Sequence, residues 1–192
     1  IDKKCFFDPM CGSGTIPIEL LMDELNIPPA FHRQKFAFQN YKDYDESIFL
    51  KIKAEADSKI KSETEIQVFA SDKNPTALKS ANMNIKAAGL SEYITLLHDN
   101  FFAAEAPCSE GIIITNPPYN ERLQIENTKD FYKQIGDSLK MNYSGWTAHV
   151  FSGFPSAAKT VGLRTKQRQK FYNGKIESRL LSYDMFQGKL KD

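Results

Sequence analysis

Apolar residues in this chain fall into short, nearly unbroken runs, separated by longer stretches in which they recur every three or four positions. The runs are Cys5 to Asp8, Ile66 to Ala70, Ile94 to Leu97 and Gly111 to Thr115, and each reads as a β-strand. Continuous rather than alternating hydrophobicity suggests strands covered on both faces, as in a parallel sheet between helical layers. A fifth run, Trp146 to Phe151, follows a helical stretch around Asp130 to Leu139. Beyond it, Gln169 to Tyr172 and Ile176 to Tyr183 flank Asn173-Gly174, a dipeptide whose ease with positive φ suits a tight hairpin. The expected class is α/β: a doubly wound, mostly parallel seven-stranded sheet ending in a C-terminal antiparallel hairpin.

Between the first helix, Thr15 to Leu25, and the second strand lies an insertion of about forty residues, opened by Pro28-Pro29 and carrying Phe31, Phe36, Phe38, Tyr41 and Tyr44. In its latter part, Glu46 to Lys61, Phe49, Ile52, Ala56 and Ile60 recur at helical spacing, and packing against the sheet is the preferred reading of that stripe. There is no internal repeat, low-complexity tract or interdomain linker, so residues 1–192 are expected to form one domain. A core strand five residues from the start reads as part of a longer polypeptide.

Composition narrows this little. With 41% hydrophobic and 26% charged residues, a chain of 192 residues can enclose a single core. No apolar run approaches the roughly 18 residues that cross a bilayer, and no signal peptide precedes the first strand, so a cytoplasmic protein without membrane partners is expected. Cys5, Cys11 and Cys108 have neither CxxC spacing nor histidine neighbours. Buried, reduced thiols are therefore expected, with no metal and no disulfide. The net charge of +1 divides unevenly: residues 159–192 carry nine Lys or Arg against three acids, or +6, leaving sixteen basic and twenty-one acidic residues, or −5, in 1–158. The basic end is either a polyanion-binding edge or a solvated face, and charge alone favours the second.

The chemistry concentrates where strands meet helices. Asp8-Pro9-Met10-Cys11-Gly12-Ser13-Gly14-Thr15 joins the first strand to the first helix, the position of the ligand crevice in a doubly wound sheet. Its glycines allow tight turning and close backbone approach, and the free N–H groups of the helix favour an anionic group, so a nucleotide-like ligand is implied. Nicotinamide and flavin sites favour a third glycine where this chain has Pro17. Asp72, at the end of the second strand, is placed to bind a ribose diol; a helix cap before Pro75 is the competing role, and Asn74 fits it better. After the third strand, Asp99 could accept from an adenine amine with Phe101 or Phe102 over the ring, or the segment could be a plain turn.

Thr115-Asn116-Pro117-Pro118-Tyr119 follows the fourth strand at the same edge. Two prolines stiffen the chain and leave free carbonyls beside an amide and an aromatic ring, which are the tools for holding a planar amino group. The lone pair of such a nitrogen is delocalised. The site needs acceptors for its two N–H bonds, here Asn116 Oδ1 and the Pro117 carbonyl, with Tyr119 stacked on the ring; accepting both protons aims the lone pair at an electrophile.

These residues resemble the class I methyltransferases with an Asn/Asp-Pro-Pro-Tyr motif. Within them, FDPMCGSGTIPIE, IPPAFHRQKFAFQNY, SDKNPTALKSANMNIKAAG and ITNPPYNERL are most similar to the bacterial 23S rRNA guanine-N2 methyltransferases. The resemblance implies S-adenosyl-L-methionine as cofactor. Asp8, Met10, Gly12 and Gly14 would hold its methionine end, Asp72 its ribose and Asp99 its adenine, while Asn116, Pro117 and Tyr119 act on the base and Pro118 and Arg122 contact the substrate. It also implies an RNA partner, a base that is unpaired or flipped out, and an RNA-binding THUMP-like domain upstream. The family commonly has glycine after the motif where this chain has Asn120, a residue that tolerates left-handed backbone angles. DNA adenine-N6 and protein glutamine methylation share the motif. An RNA-binding module with a relic cofactor pocket is the non-enzymatic alternative.

Overall fold

The computed structural model describes residues 4–118, 125–154, 156–174 and 176–186. β1 (Cys5–Asp8) is buried along its whole length because it lies inside the sheet with a helical layer over each face. It pairs in parallel with β2 (Gln67–Asp72) and with β4 (Ile112–Thr115). β3 (Ile94–His98) continues the parallel sheet beyond β2, and β5 (Thr147–Ser152) continues it beyond β4. β7 (Ile176–Asp184) then runs antiparallel to β5, and β6 (Gln167–Asn173) pairs antiparallel with β7 at the edge. The order is β3-β2-β1-β4-β5-β7-β6, a mostly parallel seven-stranded sheet with the C-terminal antiparallel hairpin expected from the sequence. The chain reverses its direction of sheet-building between β1 and β4, where doubly wound folds open a crevice.

α1 (Thr15–Glu24) and α3 (Pro75–Ala87) cover one face, burying Leu21, Ala81 and Ile85 over Phe6, Val68 and Ala70. α4 (Ile125–Asn142) covers the other, with Ile135 and Leu139 over Phe7, Ile113, Ala148 and Val150. The two layers explain the unbroken apolar runs, since successive residues of a doubly covered strand are all buried. α3 starts where it does because the Asn74 side chain accepts from the Thr76 N–H at 2.9 Å and Pro75 takes the first helical position. Gly174 turns the β6–β7 hairpin at φ 60°.

Two expectations are corrected. The stripe on α2 (Glu46–Asp57) does not pack on the sheet. The helix buries no residue; Phe49 instead meets Phe36, Phe38 and Tyr44, with centroids 5.6 to 6.2 Å away, and Ile52 is 60% exposed. The insertion's own aromatics make a cluster that satisfies a helical period without the sheet. Cys5 and Cys108 are not reduced thiols but a disulfide, their Cα atoms 6.6 Å apart across 103 residues of sequence. Pairing of β1 with β4 brings them together, a proximity that spacing along the chain cannot reveal. Cys11 is buried and free, as expected.

Gly14 caps α1 in the left-handed region at φ 82°, and a Cβ there would lie 3.3 Å from Ala81 Cβ on α3. Gly14→Ala should cost about 1 to 2 kcal/mol from backbone strain alone, lowering the melting midpoint by about 2 to 8 °C. Thermal denaturation checks this; an unchanged midpoint would contradict it.

Candidate functional site

The loop after β1 is held in place from β2 and α3. Cys11 N–H donates to the Ser71 carbonyl at 2.9 Å, Ser71 Oγ to the Pro9 carbonyl at 3.3 Å, and Asn84 Nδ2 to the Ser13 carbonyl at 2.9 Å. The most informative contact is from Gly12 N–H to Asp72 Oδ2, at 3.0 Å, joining the tips of two strands across 60 residues. Asp72 Oδ1 also accepts from Asn74 N–H at 2.9 Å. Gly12 has φ 55°, and nothing lies within 4 Å of where its Cβ would be, so its backbone faces open space.

That space is a cavity of about 650 Å³ at the carboxyl ends of the strands, within the range of small-ligand sites. The β1 loop contributes Pro9, Met10 and Gly12, β2 contributes Asp72, and the segment after β4 contributes Asn116 and Pro118. Of the residues singled out by sequence, Met10, Gly12, Asp72, Asn116 and Pro118 therefore meet at one cavity. Asp8, Gly14, Asp99 and Pro117 are not among its lining residues. Asp8 and Pro117 are buried, Gly14 starts the helix, and the Asp99 carboxylate accepts from the next N–H, that of Asn100, at 2.7 Å. Tyr119, Asn120 and Arg122 lie outside the described residues.

Sequence reasoning missed Lys73, Asn100, Phe131 and Gln134 as lining residues. Phe131 meets Phe102 edge-on at 5.6 Å. Phe131 and Gln134 are three apart, so they share a face of α4, but a helical period does not tell which face meets a cavity.

Asp8 is 1% exposed at the end of β1. Burial pushes its carboxyl up from 3.8 to about 7, and the nearby Asp72 charge acts in the same sense. The Met10 N–H, donating at 3.2 Å, opposes, as does the nearby Thr115 hydroxyl. Burial and the same two carboxylates push the Cys11 thiol up to about 12, which leaves it inert as a nucleophile. Among the described residues, no three His, Cys, Asp or Glu side chains gather as a metal site, and no helix is long and apolar enough to cross a membrane.

A doubly wound sheet with this cavity defines a Rossmann-like, nucleotide-binding class of domain. The chain belongs to the family described as the RMKL-like methyltransferase domain, whose pattern matches residues 2–182. It is 36% identical over 181 residues to slr0064 of Synechocystis sp., provisionally named an RNA methyltransferase, matching 94% of this chain and 47% of that protein. It is 32% identical over 192 residues to the ribosomal RNA large subunit methyltransferase K/L of Hahella chejuensis, matching 96% of this chain and 27% of that protein. The chain thus spans about half the length of one relative and about a quarter of the other. Among solved structures, SMU.472, provisionally described as a methyltransferase and complexed with SAH, superposes with a TM-score of 0.86 at 26% identity, over 97% of this chain and 49% of that one.

The folded chain keeps the Asp8 proton to about pH 7, whereas the unfolded chain releases it near 3.8. Between those values the folded state binds more protons, so the stability carried by the neutral acid is complete below about pH 4 and is lost as pH rises through 7. The melting temperature of the ligand-free protein should therefore fall relative to that of Asp8→Asn between pH 4 and 7 and run parallel above. A difference independent of pH would refute the assignment.

Proposed function

We propose that this chain transfers a methyl group from S-adenosyl-L-methionine to the exocyclic amine of a base in RNA, the N2 of guanine in 23S rRNA being the specific target. One observation carries the reading. A single cavity is bordered by the glycine loop with Asp72 and also by Asn116 with Pro118, so a nucleotide-binding apparatus and an amine-holding motif open onto the same space. The relatives' names, an RNA methyltransferase and ribosomal RNA large subunit methyltransferases, support RNA as the substrate class.

The residues fit the cofactor. Open space at Gly12 lets the backbone approach a ligand closely. Asp72 spends one lone pair of each oxygen on backbone N–H groups and keeps the others for a ribose diol. Asp8 holds the loop through Met10 N–H, and Gly14 starts the helix whose N-terminal N–H groups would hold the methionine carboxylate. Asp99 and Asn100, at the tip of β3, are assigned to the adenine amine, with Phe101 and Phe102 beside it. When bound, the cofactor supplies an electrophilic methyl on a sulfonium.

The chain's own task is to prepare the nitrogen. Asn116 Oδ1 and the Pro117 carbonyl accept its two N–H bonds, which pyramidalises it and directs its lone pair at the methyl. Tyr119 is assigned to stack on the base, Pro118 to stiffen the turn and Arg122 to contact the substrate. The proton the nitrogen loses passes to water at the mouth, where Asn116 is exposed.

Asn116→Ala should lower methyl transfer a few hundredfold, the loss of roughly 3 to 4 kcal/mol expected for one such contact, while affinity for S-adenosylhomocysteine stays unchanged. Transfer of a radiolabelled methyl to rRNA, with DNA of the same sequence as comparison, measures the first quantity and calorimetry the second. Near wild-type turnover would remove Asn116 from the mechanism; methylation of DNA in preference to RNA would overturn the substrate class.

A further inference from the structure

We propose that the tip of the β6–β7 hairpin is a docking surface for the single-stranded RNA flanking the target base. This rests on the RNA reading above and adds a second contact region to it. β5 ends at Ser152, opposite Arg179 of β7, but β7 and β6 continue pairing through Phe171–Ser178, Tyr172–Glu177 and Asn173–Ile176. The hairpin therefore overhangs its neighbour by three residue pairs, roughly 10 Å at about 3.4 Å per residue. The overhang is at the edge of the sheet that carries the cavity, because β5 runs parallel to β1 and β4. Two strand spacings of about 4.8 Å separate β7 from β4, and Asn116, one residue past Thr115, is level with Leu180 of β7, four residues from Ile176, so the hairpin tip stands about 17 Å from the target-base motif, a span of a few nucleotides.

The chemistry of the overhang suits a nucleic-acid strand. Alternation puts Arg168, Lys170 and Tyr172 on one face of β6, opposite Leu181, Arg179 and Glu177. Tyr172 is 68% exposed on this edge strand, and Lys170 Nζ lies 5.1 Å from its ring centroid. Glu177 is shared between Lys170 at 2.7 Å and Arg179 at 3.0 Å, and Arg168 carries no ion pair among the described residues, so this face is net positive. On the opposite face, Phe171 is 38% exposed and packs against Phe151 at 5.9 Å. An exposed ring among cations is the combination by which sequence-tolerant sites hold single strands, stacking the bases and attracting the phosphates. Lys166, also in the basic segment, pairs with Asp184 at 2.8 Å near the other end of the hairpin. The polyanion face is thus concentrated at the tip and along Arg168, not spread over the whole basic segment.

The test uses the full chain and a fluorescein-labelled single-stranded fragment of 23S rRNA, with anisotropy read across a salt series. Tyr172→Ala should weaken binding at least about tenfold with the salt slope unchanged, whereas Tyr172→Phe, which retains the ring, should stay within about twofold. Arg168→Ala should lower the log–log salt slope by about 0.7. Affinity for S-adenosylhomocysteine should be the same in all four proteins, which separates these effects from misfolding. If the wild type binds and methylates the RNA while Tyr172→Ala and Arg168→Ala bind it equally well, the hairpin proposal is overturned and the RNA reading stands. If the wild type binds S-adenosylhomocysteine but neither binds nor methylates RNA, the substrate reading falls and the hairpin proposal with it.

Discussion

The bond from Gly12 N–H to Asp72 Oδ2 is the constraint from which the rest of the site follows. It ties the loop after β1 to the tip of β2, and it forms only because parallel register puts the two strand ends side by side. With the loop tied back, Gly12 turns its open side to the cavity and Gly14 begins α1. The same bond orients the carboxylate, leaving its remaining lone pairs to the cavity. A charge-assisted contact of this kind is among the stronger hydrogen bonds available to a backbone amide. The parallel sheet is therefore the device that brings residues 60 positions apart to one edge of the cavity.

Placing carboxylates close together has an electrostatic cost, and the site handles it by unequal burial. Asp72 is partly exposed and doubly hydrogen-bonded, whereas Asp8 is sealed behind the loop and holds its proton to about pH 7. Burial keeps Asp8 neutral below about pH 7, so no buried charge is placed beside the Asp72 carboxylate there. Cys11 lies in the same field and stays protonated. This edge of the cavity is thus supported by Asp8 and Cys11, neither of which is among its lining residues.

The parts of this account that were legible in the sequence are those set by local pattern. Phe6, Phe7 and Ile113 announce strands because both their faces are covered, and Asn173-Gly174 announces the hairpin because its turn demands positive φ. The glycine loop and the Asn116-Pro117-Pro118 segment could be read because their backbone chemistry is unusual wherever it occurs. What depended on long-range proximity was not legible. Cys108 meets Cys5 only through strand order, and the side chains of Phe131 and Gln134 reach the cavity only through the rotation of α4. Phe49 does pack at its helical spacing, but within the insertion rather than on the sheet, and Ile52 stays exposed. Asn100, next to Asp99, lines the cavity and was not singled out in the sequence.

The central claim is that one edge, tied by Gly12 and Asp72, is the cofactor site. Calorimetric titration with S-adenosylhomocysteine tests it most directly. The account predicts saturable binding at one site per chain, weakened at least tenfold in Asp72→Ala, which loses both the ribose acceptor and the tether of the loop. Absence of binding in the wild type, or equal affinity in the two proteins, would contradict it.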